Sequence, residues 1–130
     1  MDYQVKAYSY GGLVTIPASK SDAQRALLIA ALGTKTSILK NVGSSADELA
    51  MMNTIEQFGA KLEKTADNFF AVSGHFDYAA IKTINCGESG LGVRLLSAIS
   101  TLGNHSITLN GEGSLLTRNQ GFFEKYLPQM

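Results

Sequence analysis

Leu13-Val14-Thr15-Ile16-Pro17-Ala18-Ser19-Lys20-Ser21-Asp22-Ala23-Gln24-Arg25-Ala26-Leu27-Leu28 is the stretch from which the fold can be read. It opens on a short apolar strand, Leu13 to Ile16, and turns at Pro17-Ala18-Ser19. The period then changes. Leu27, Leu28 and Leu32 share one side of a helix running from about Ser21 to Leu32, which Gly33 stops. Thr36 to Leu39 reads as the next strand. Ser45 has the character of an N-cap, and Glu48 three residues on completes a capping box. The helix they start carries Leu49, Met52, Ile55 and Phe58 and ends at Gly59. Ala60 to Glu63 and Phe69 to Val72 are spaced to pair as a hairpin across Ala66-Asp67-Asn68. The pattern is a βαβαββ unit at residues 17–76, behind entering strands in residues 1–16.

The unit repeats. Arg25-Ala26-Leu27 is answered by Arg94-Leu95-Leu96, Ser37-Ile38 by Ser106-Ile107, Asn41 by Asn110 and Ser45 by Ser114, each 69 residues further on (94 minus 25, 106 minus 37). Leu32-Gly33 is answered by Leu102-Gly103 at an offset of 70 (102 minus 32). A second unit is therefore expected at residues 77–130. It has a strand near Thr83 to Cys86, a helix from about Ser89 to Leu102, a strand from His105 to Leu109, and a helix holding Phe122, Phe123 and Leu127. The counterpart of the first unit's closing hairpin is missing, and the expectation is a longer natural chain. The fold class is α/β.

Composition excludes several functions. Hydrophobic residues are 45% and charged residues 17% of the 130, as in an ordinary folded domain. Lys plus Arg balances Asp plus Glu at 11 each, so the formal charge is zero and nucleic acid is not an expected partner. A few basic residues can still be focused in one cleft. The longest apolar run, Ala26 to Leu32, is too short to cross a bilayer, and Met1 to Tyr10 lacks the pattern of a signal peptide. The single cysteine, Cys86, permits no intrachain disulfide, which fits a reducing cytoplasm.

Chemistry is suggested where basic residues and glycines gather at strand-to-helix turns. At the first, Lys20, Ser21 and Arg25 stand at a helix start whose backbone N–H groups and dipole attract anions. Lys20 offers a point charge and Arg25 a two-pronged fork for carboxylate or phosphate. The same residues suit a capped, solvated helix end. At the second, Gly87, Gly90 and Gly92 lead to Arg94. The glycines let a ligand approach the backbone, or let helices pack closely. They form neither a dinucleotide nor a P-loop signature. Arg118, at the start of the last helix, is the third basic residue that can face the same cleft; a lone exposed Arg is usually just solvated, so this assignment rests on the repeat and on a family resemblance. His75 and His105 lack ligand spacing, so no metal is expected. Cys86 reads as a buried strand residue, Met51 and Met52 as core, and Asp47 as a helix-start residue.

Ile16-Pro17-Ala18-Ser19-Lys20-Ser21 with Gln24-Arg25-Ala26-Leu27-Leu28 resembles the P-G-S-K-S…R-A-L-L motif of the 5-enolpyruvylshikimate-3-phosphate synthase family. The likeness continues through Asn41-Val42, Asp47, Met51 and Phe58-Gly59-Ala60. It resumes at Gly87 to Leu96, similar to G-N-A-G-T-x-x-R, and at Leu109-Asn110-Gly111-Glu112 with Arg118, similar to L-x-G-D…R-P. The resemblance implies two lobes, each of three βαβαββ units in an inside-out α/β barrel, of which this chain holds an incomplete part. It implies transfer of the enolpyruvyl group of phosphoenolpyruvate to the 5-hydroxyl of shikimate 3-phosphate, with no metal or organic cofactor. It implies that Lys20 and Arg94 contact phosphoenolpyruvate, that Ser21 and Arg25 hold shikimate 3-phosphate, that Gly90 lets the backbone meet phosphoenolpyruvate, and that Arg118 binds its phosphate. No catalytic acid or base is assigned in this chain; the resemblance places those groups largely in the other lobe.

The chain departs from the pattern at Glu88, where the family usually has Asn, at Leu91 in place of Thr, and at Asn119 in place of Pro. An acidic side chain at 88 repels an anionic ligand unless it is protonated or turned away. Two other readings therefore stand beside the first. One is the related UDP-N-acetylglucosamine enolpyruvyl transferase, against which the Ser-Lys-Ser with Arg25 pattern counts. The other is a non-catalytic domain of the same fold that binds a phosphorylated ligand. Self-association through an open sheet edge is a further expectation.

Overall fold

The computed structural model describes residues 2–9 and 11–129. The expected entering strands fall partly on residues 1 and 10, which lie outside the described residues, as does residue 130 at the end of the second unit.

Helix α1 (Lys20–Leu32) starts just after the extended Ser19, whose hydroxyl accepts the Asp22 N–H at 3.4 Å and caps the first turn. Its far end closes at Gly33, whose N–H donates to the carbonyls of Ile29 and Ala30. Strand β1 (Thr36–Lys40) follows, then α2 (Ala46–Gln57). The expected capping box is present. Ser45 Oγ accepts the Glu48 N–H while Glu48 Oε2 accepts the Ser45 N–H at 2.9 Å. The other carboxylate oxygen accepts the Gly43 N–H at 2.8 Å, so a nearly buried acid has three backbone and side-chain donors in its own turn.

Strands β2 (Lys61–Ala66) and β3 (Phe69–Ser73) form the expected hairpin. Asn68 closes its turn at φ 59°, a conformation its short polar side chain tolerates. The sheet order is β1-β3-β2, all antiparallel, with Ile38 opposite Ala71 and Leu62 opposite Val72.

The second unit gives β4 (Thr83–Asn85), α3 (Gly90–Ser100) and β5 (Thr108–Asn110), with β4 and β5 parallel and Ile84 opposite Leu109. A helix between two parallel strands is the connection such pairing requires. A 3-10 turn (Gly113–Thr117) and the short α4 (Gly121–Tyr126) complete the fold. Phe122 and Phe123 are in α4, whereas Leu127 opens a following 3-10 turn.

Leu13 to Ile16 corrects one expectation. These residues form no strand, and Leu13 and Val14 are 99% and 80% exposed. An apolar extended segment becomes a strand only when a neighbour takes up its N–H and C=O groups, and no described strand pairs with it.

One core joins both units. α1 packs on α2 and β3, and α2 reaches β4. Leu27 and Leu96, equivalent in the repeat, are both fully buried within it. Phe58 is buried and stacked on Phe76 with ring centroids 4.0 Å apart. Each such side chain contributes on the order of 1.5–3 kcal/mol.

Candidate functional site

The N-termini of α1, α2, α3 and the 3-10 turn all open on one cleft of about 460 Å³. Lys20 and Ser21 come from the first turn of α1, Asp47 from that of α2, and Gly90 and Leu91 from that of α3. Glu88 and Ser114 form another wall, and Arg118 closes it. Each helix start brings N–H groups and the positive end of a dipole, an arrangement suited to anions. These turns are brought side by side because α1 packs against both α2 and α3.

The charges are arranged in opposed pairs. Lys20 Nζ lies 2.8 Å from Asp47 Oδ2, bridging α1 and α2. Glu88 Oε2 accepts the Ser114 N–H at 2.9 Å, and Arg118 Nη2 donates to Ser114 Oγ at 3.3 Å. The Ser114 backbone N–H holds the Glu88 carboxyl below the usual carboxylate range, helped by the Ser114 hydroxyl and by the charge of Arg118. Glu88 is thus an ionised acid turned onto the 3-10 turn. This echoes the first unit, where Ser45, the repeat equivalent of Ser114, gives its N–H to Glu48. In one unit the glutamate is local; in the other it comes from a separate loop.

Two glycines let charged side chains lie against the backbone here. A Cβ on Gly90 would strike the Arg118 guanidinium, so only glycine lets that charge lie over the start of α3. Gly113, at φ +50°, would drive a Cβ into the Glu88 carboxylate.

Of the residues expected from sequence, Lys20, Ser21, Gly90 and Arg118 line the one cleft. Arg94 does not. It lines a neighbouring hollow of about 450 Å³ with Asn119, Gln120, Phe122 and Phe123. Arg25 is in neither; it is exposed and ion-paired with Asp22, one turn back on α1. The expectation that Lys20, Arg25 and Arg94 meet in one pocket is corrected for the two arginines. Helix geometry is the reason. Gln24 is one turn on from Lys20 and lines the cleft, whereas Arg25 is one turn on from Ser21 and turns to Asp22. Arg94 is one turn further along α3 than Gly90.

Two cleft residues were missed or discounted in the sequence, Asp47 and Gln24, and so was Ser89, the buried partner of Gln24. Ser89 caps α3 by accepting the Gly92 N–H at 2.9 Å, and its hydroxyl donates to Gln24 Oε1 at 2.7 Å. Both side chains are buried. A polar Gln24 among the apolar residues Ala23, Leu27, Leu28 and Ala31 was the available signal. Cys86 is buried and its thiol is pushed up to about 11 by that burial, so it is not a nucleophile at neutral pH. Among the described residues no helix is long and apolar enough to cross a membrane, and no three metal-ligating side chains gather.

Comparison with known proteins agrees with this architecture. The family model described as EPSP synthase (3-phosphoshikimate 1-carboxyvinyltransferase) matches residues 7–119. A 3-phosphoshikimate 1-carboxyvinyltransferase of Chlamydia felis is 32% identical over 118 residues, 89% of this chain and 26% of that protein. The namesakes from Methanobrevibacter smithii and Shewanella denitrificans are 33% and 34% identical, over 91% and 92% of this chain and 28% and 29% of their own lengths. The chain thus spans between a quarter and a third of these relatives. An EPSP synthase structure from Acinetobacter baumannii superposes with a TM-score of 0.79 at 23% identity, over 92% of this chain and 28% of that one, and shares its fold. With a matched model over most of its length and turns that carry the family's motifs, the chain belongs to the EPSP synthase family.

Proposed function

We propose that this chain serves as the anion-holding part of an enzyme that transfers the enolpyruvyl group of phosphoenolpyruvate to the 5-hydroxyl of shikimate 3-phosphate, releasing phosphate, in the cytoplasm. The observation that carries the reading is the meeting of the N-termini of α1, α2 and α3 with Lys20 and Arg118 on one cleft. Two multiply charged substrates repel each other, and fixed dipoles and cations offset that repulsion in a pocket that excludes water. In this reading Lys20 and Arg118 face phosphoenolpyruvate, Ser21 faces shikimate 3-phosphate, and Gly90 gives the ligand access to the backbone.

Arg25 and Arg94 enter from the rim. Each stands one turn beyond a cleft residue, Ser21 and Gly90 respectively, and each is exposed. Arg25 can leave Asp22 at small cost, because an exposed pair of this kind is worth only ~0–1 kcal/mol. Proton transfer falls to parts of the synthase fold that these residues do not span, so the chain alone has no turnover. The units at 17–76 and 77–130 are the repeats of one lobe, and the edges of the β1-β3-β2 sheet are where a second copy would add.

A second reading is favoured by Glu88. Its ionised carboxylate in the cleft opposes phosphoenolpyruvate, so a domain that holds shikimate 3-phosphate without catalysis fits the same geometry. Calorimetric titration separates these. Shikimate 3-phosphate binding followed by phosphoenolpyruvate binding supports the enzyme. Shikimate 3-phosphate binding alone supports the second reading. Binding of UDP-N-acetylglucosamine in place of either sinks both.

A further inference from the structure

Gln24 presents an unsatisfied donor at the floor of the cleft. Its side chain is wholly buried, it lines the cleft, and its Oε1 is committed to the Ser89 hydroxyl. The Ser89 hydroxyl accepts the Gly92 N–H and donates its own proton to Gln24 Oε1. The amide nitrogen, Nε2, then has no partner among the described residues. A buried donor left unmade costs about as much as a hydrogen bond gains, so such a group is retained where something else completes it.

The surroundings say what completes it. Gln24 stands one turn behind Lys20 on the same face of α1. Ser89 caps α3, whose N-terminus carries the Arg118 guanidinium over Gly90. Gln24 lines the same cleft as Lys20, Arg118 and the start of α3, where Asp47 is paired with Lys20 and Glu88 with the Ser114 N–H, and an amide N–H₂ in such a cleft is complementary to an anionic oxygen.

We propose that Gln24 is a further ligand-binding residue, its Nε2 donating to an oxygen of a bound phosphate group, while its Oε1 ties α1 to the cap of α3 and so holds the two repeat units at the spacing the anion requires. This rests on the anion-binding reading above and adds to it a neutral donor at the floor, where Lys20 and Arg118 supply charge from the walls.

The test titrates the full chain with inorganic phosphate, following the Gln24 side-chain NH₂ signals by nitrogen-15 NMR. They are expected to shift saturably, in step with the backbone signals of Gly90 and Leu91. Gln24→Glu keeps an acceptor for Ser89 but replaces the donor with a carboxylate, and should weaken phosphate binding at least about tenfold. Gln24 signals that stay still while the Gly90 signal moves, unchanged phosphate affinity in Gln24→Glu, or no phosphate binding by the native chain would each overturn the proposal. If Gln24→Glu does not fold, the native-chain titration decides alone. Shikimate 3-phosphate run in parallel keeps the two claims apart. Should it bind no more tightly than phosphate while Gln24 responds, the substrate assignment fails and the role of Gln24 stands.

Discussion

Lys20 and Asp47 face each other across the mouth of the cleft, Nζ to Oδ2 at 2.8 Å, so the first turns of α1 and α2 are held together by the same cation that an incoming anion would need. The lysine side chain is half exposed and Asp47 far less so, which leaves Asp47 as the partner with more to lose by separation. Asp47→Asn frees Lys20 for a ligand. Shikimate 3-phosphate or inorganic phosphate should bind roughly three- to tenfold more tightly to that variant, the size of a partly screened ion pair. Lys20→Ala should weaken binding by a similar factor or more. Calorimetry on both variants checks the pair, and weaker binding in Asp47→Asn would make Asp47 a ligand-side residue instead.

Arg25→Ala is expected to weaken shikimate 3-phosphate binding at least about tenfold, the usual worth of a charged hydrogen bond, with little change in melting temperature. Its partner Asp22 is 72% exposed, so the folded state depends little on the pair. Parallel loss of binding and stability would show that Arg25 serves the helix rather than a ligand.

Glu88 predicts a pH signature. Its folded carboxyl is held below its ordinary value, chiefly by the Ser114 N–H. A depressed acid stabilises the fold above the unfolded pKa, about 4.3, and that contribution disappears as pH falls through the lower folded value. Native chain and Glu88→Gln should therefore differ in melting temperature at neutral pH and converge below about pH 4. A gap that widens on acidification would reverse the sign. At neutral pH, Glu88→Asn should also tighten phosphoenolpyruvate binding by removing a negative charge from the cleft wall.

Gly90→Ala should leave the fold intact and displace the Arg118 guanidinium, because the atoms in the way belong to the end of a flexible side chain. The expected outcome is roughly tenfold weaker phosphoenolpyruvate or phosphate binding with a nearly unchanged urea midpoint. Unaltered binding would mean that Arg118 acts equally well from elsewhere.

Phe58→Ala tests the core. The ring is wholly buried against Phe76, and its loss should cost ~3–5 kcal/mol by denaturant unfolding. Ile38→Ala, at a residue 57% exposed on β1, should change stability by no more than about 0.5 kcal/mol. Similar costs at both positions would contradict the observed core.

Sequence alone determined what is closed within a few residues or repeated along the chain. The caps at Ser19, Ser45 and Ser89 bond to N–H groups three positions on, and the hairpin closes at Asn68; neighbours in the chain are enough for these. The 69-residue offset between Arg25 and Arg94 is the basis in sequence for expecting two related units. The strand-to-helix turns then marked Lys20, Ser21 and Gly90, and the repeat with the family resemblance marked Arg118. Tertiary structure decided the rest. Gln24 meets Ser89 across 65 residues, Ser114 meets Glu88 across 26, and Lys20 meets Asp47 on another helix. Each contact depends on how far a helix is rotated and where a second unit packs, quantities that residue spacing does not carry. The same dependence left Leu13 to Ile16 unpaired, because a strand needs a partner backbone, whereas the Arg25–Asp22 pair is local, three residues apart on α1.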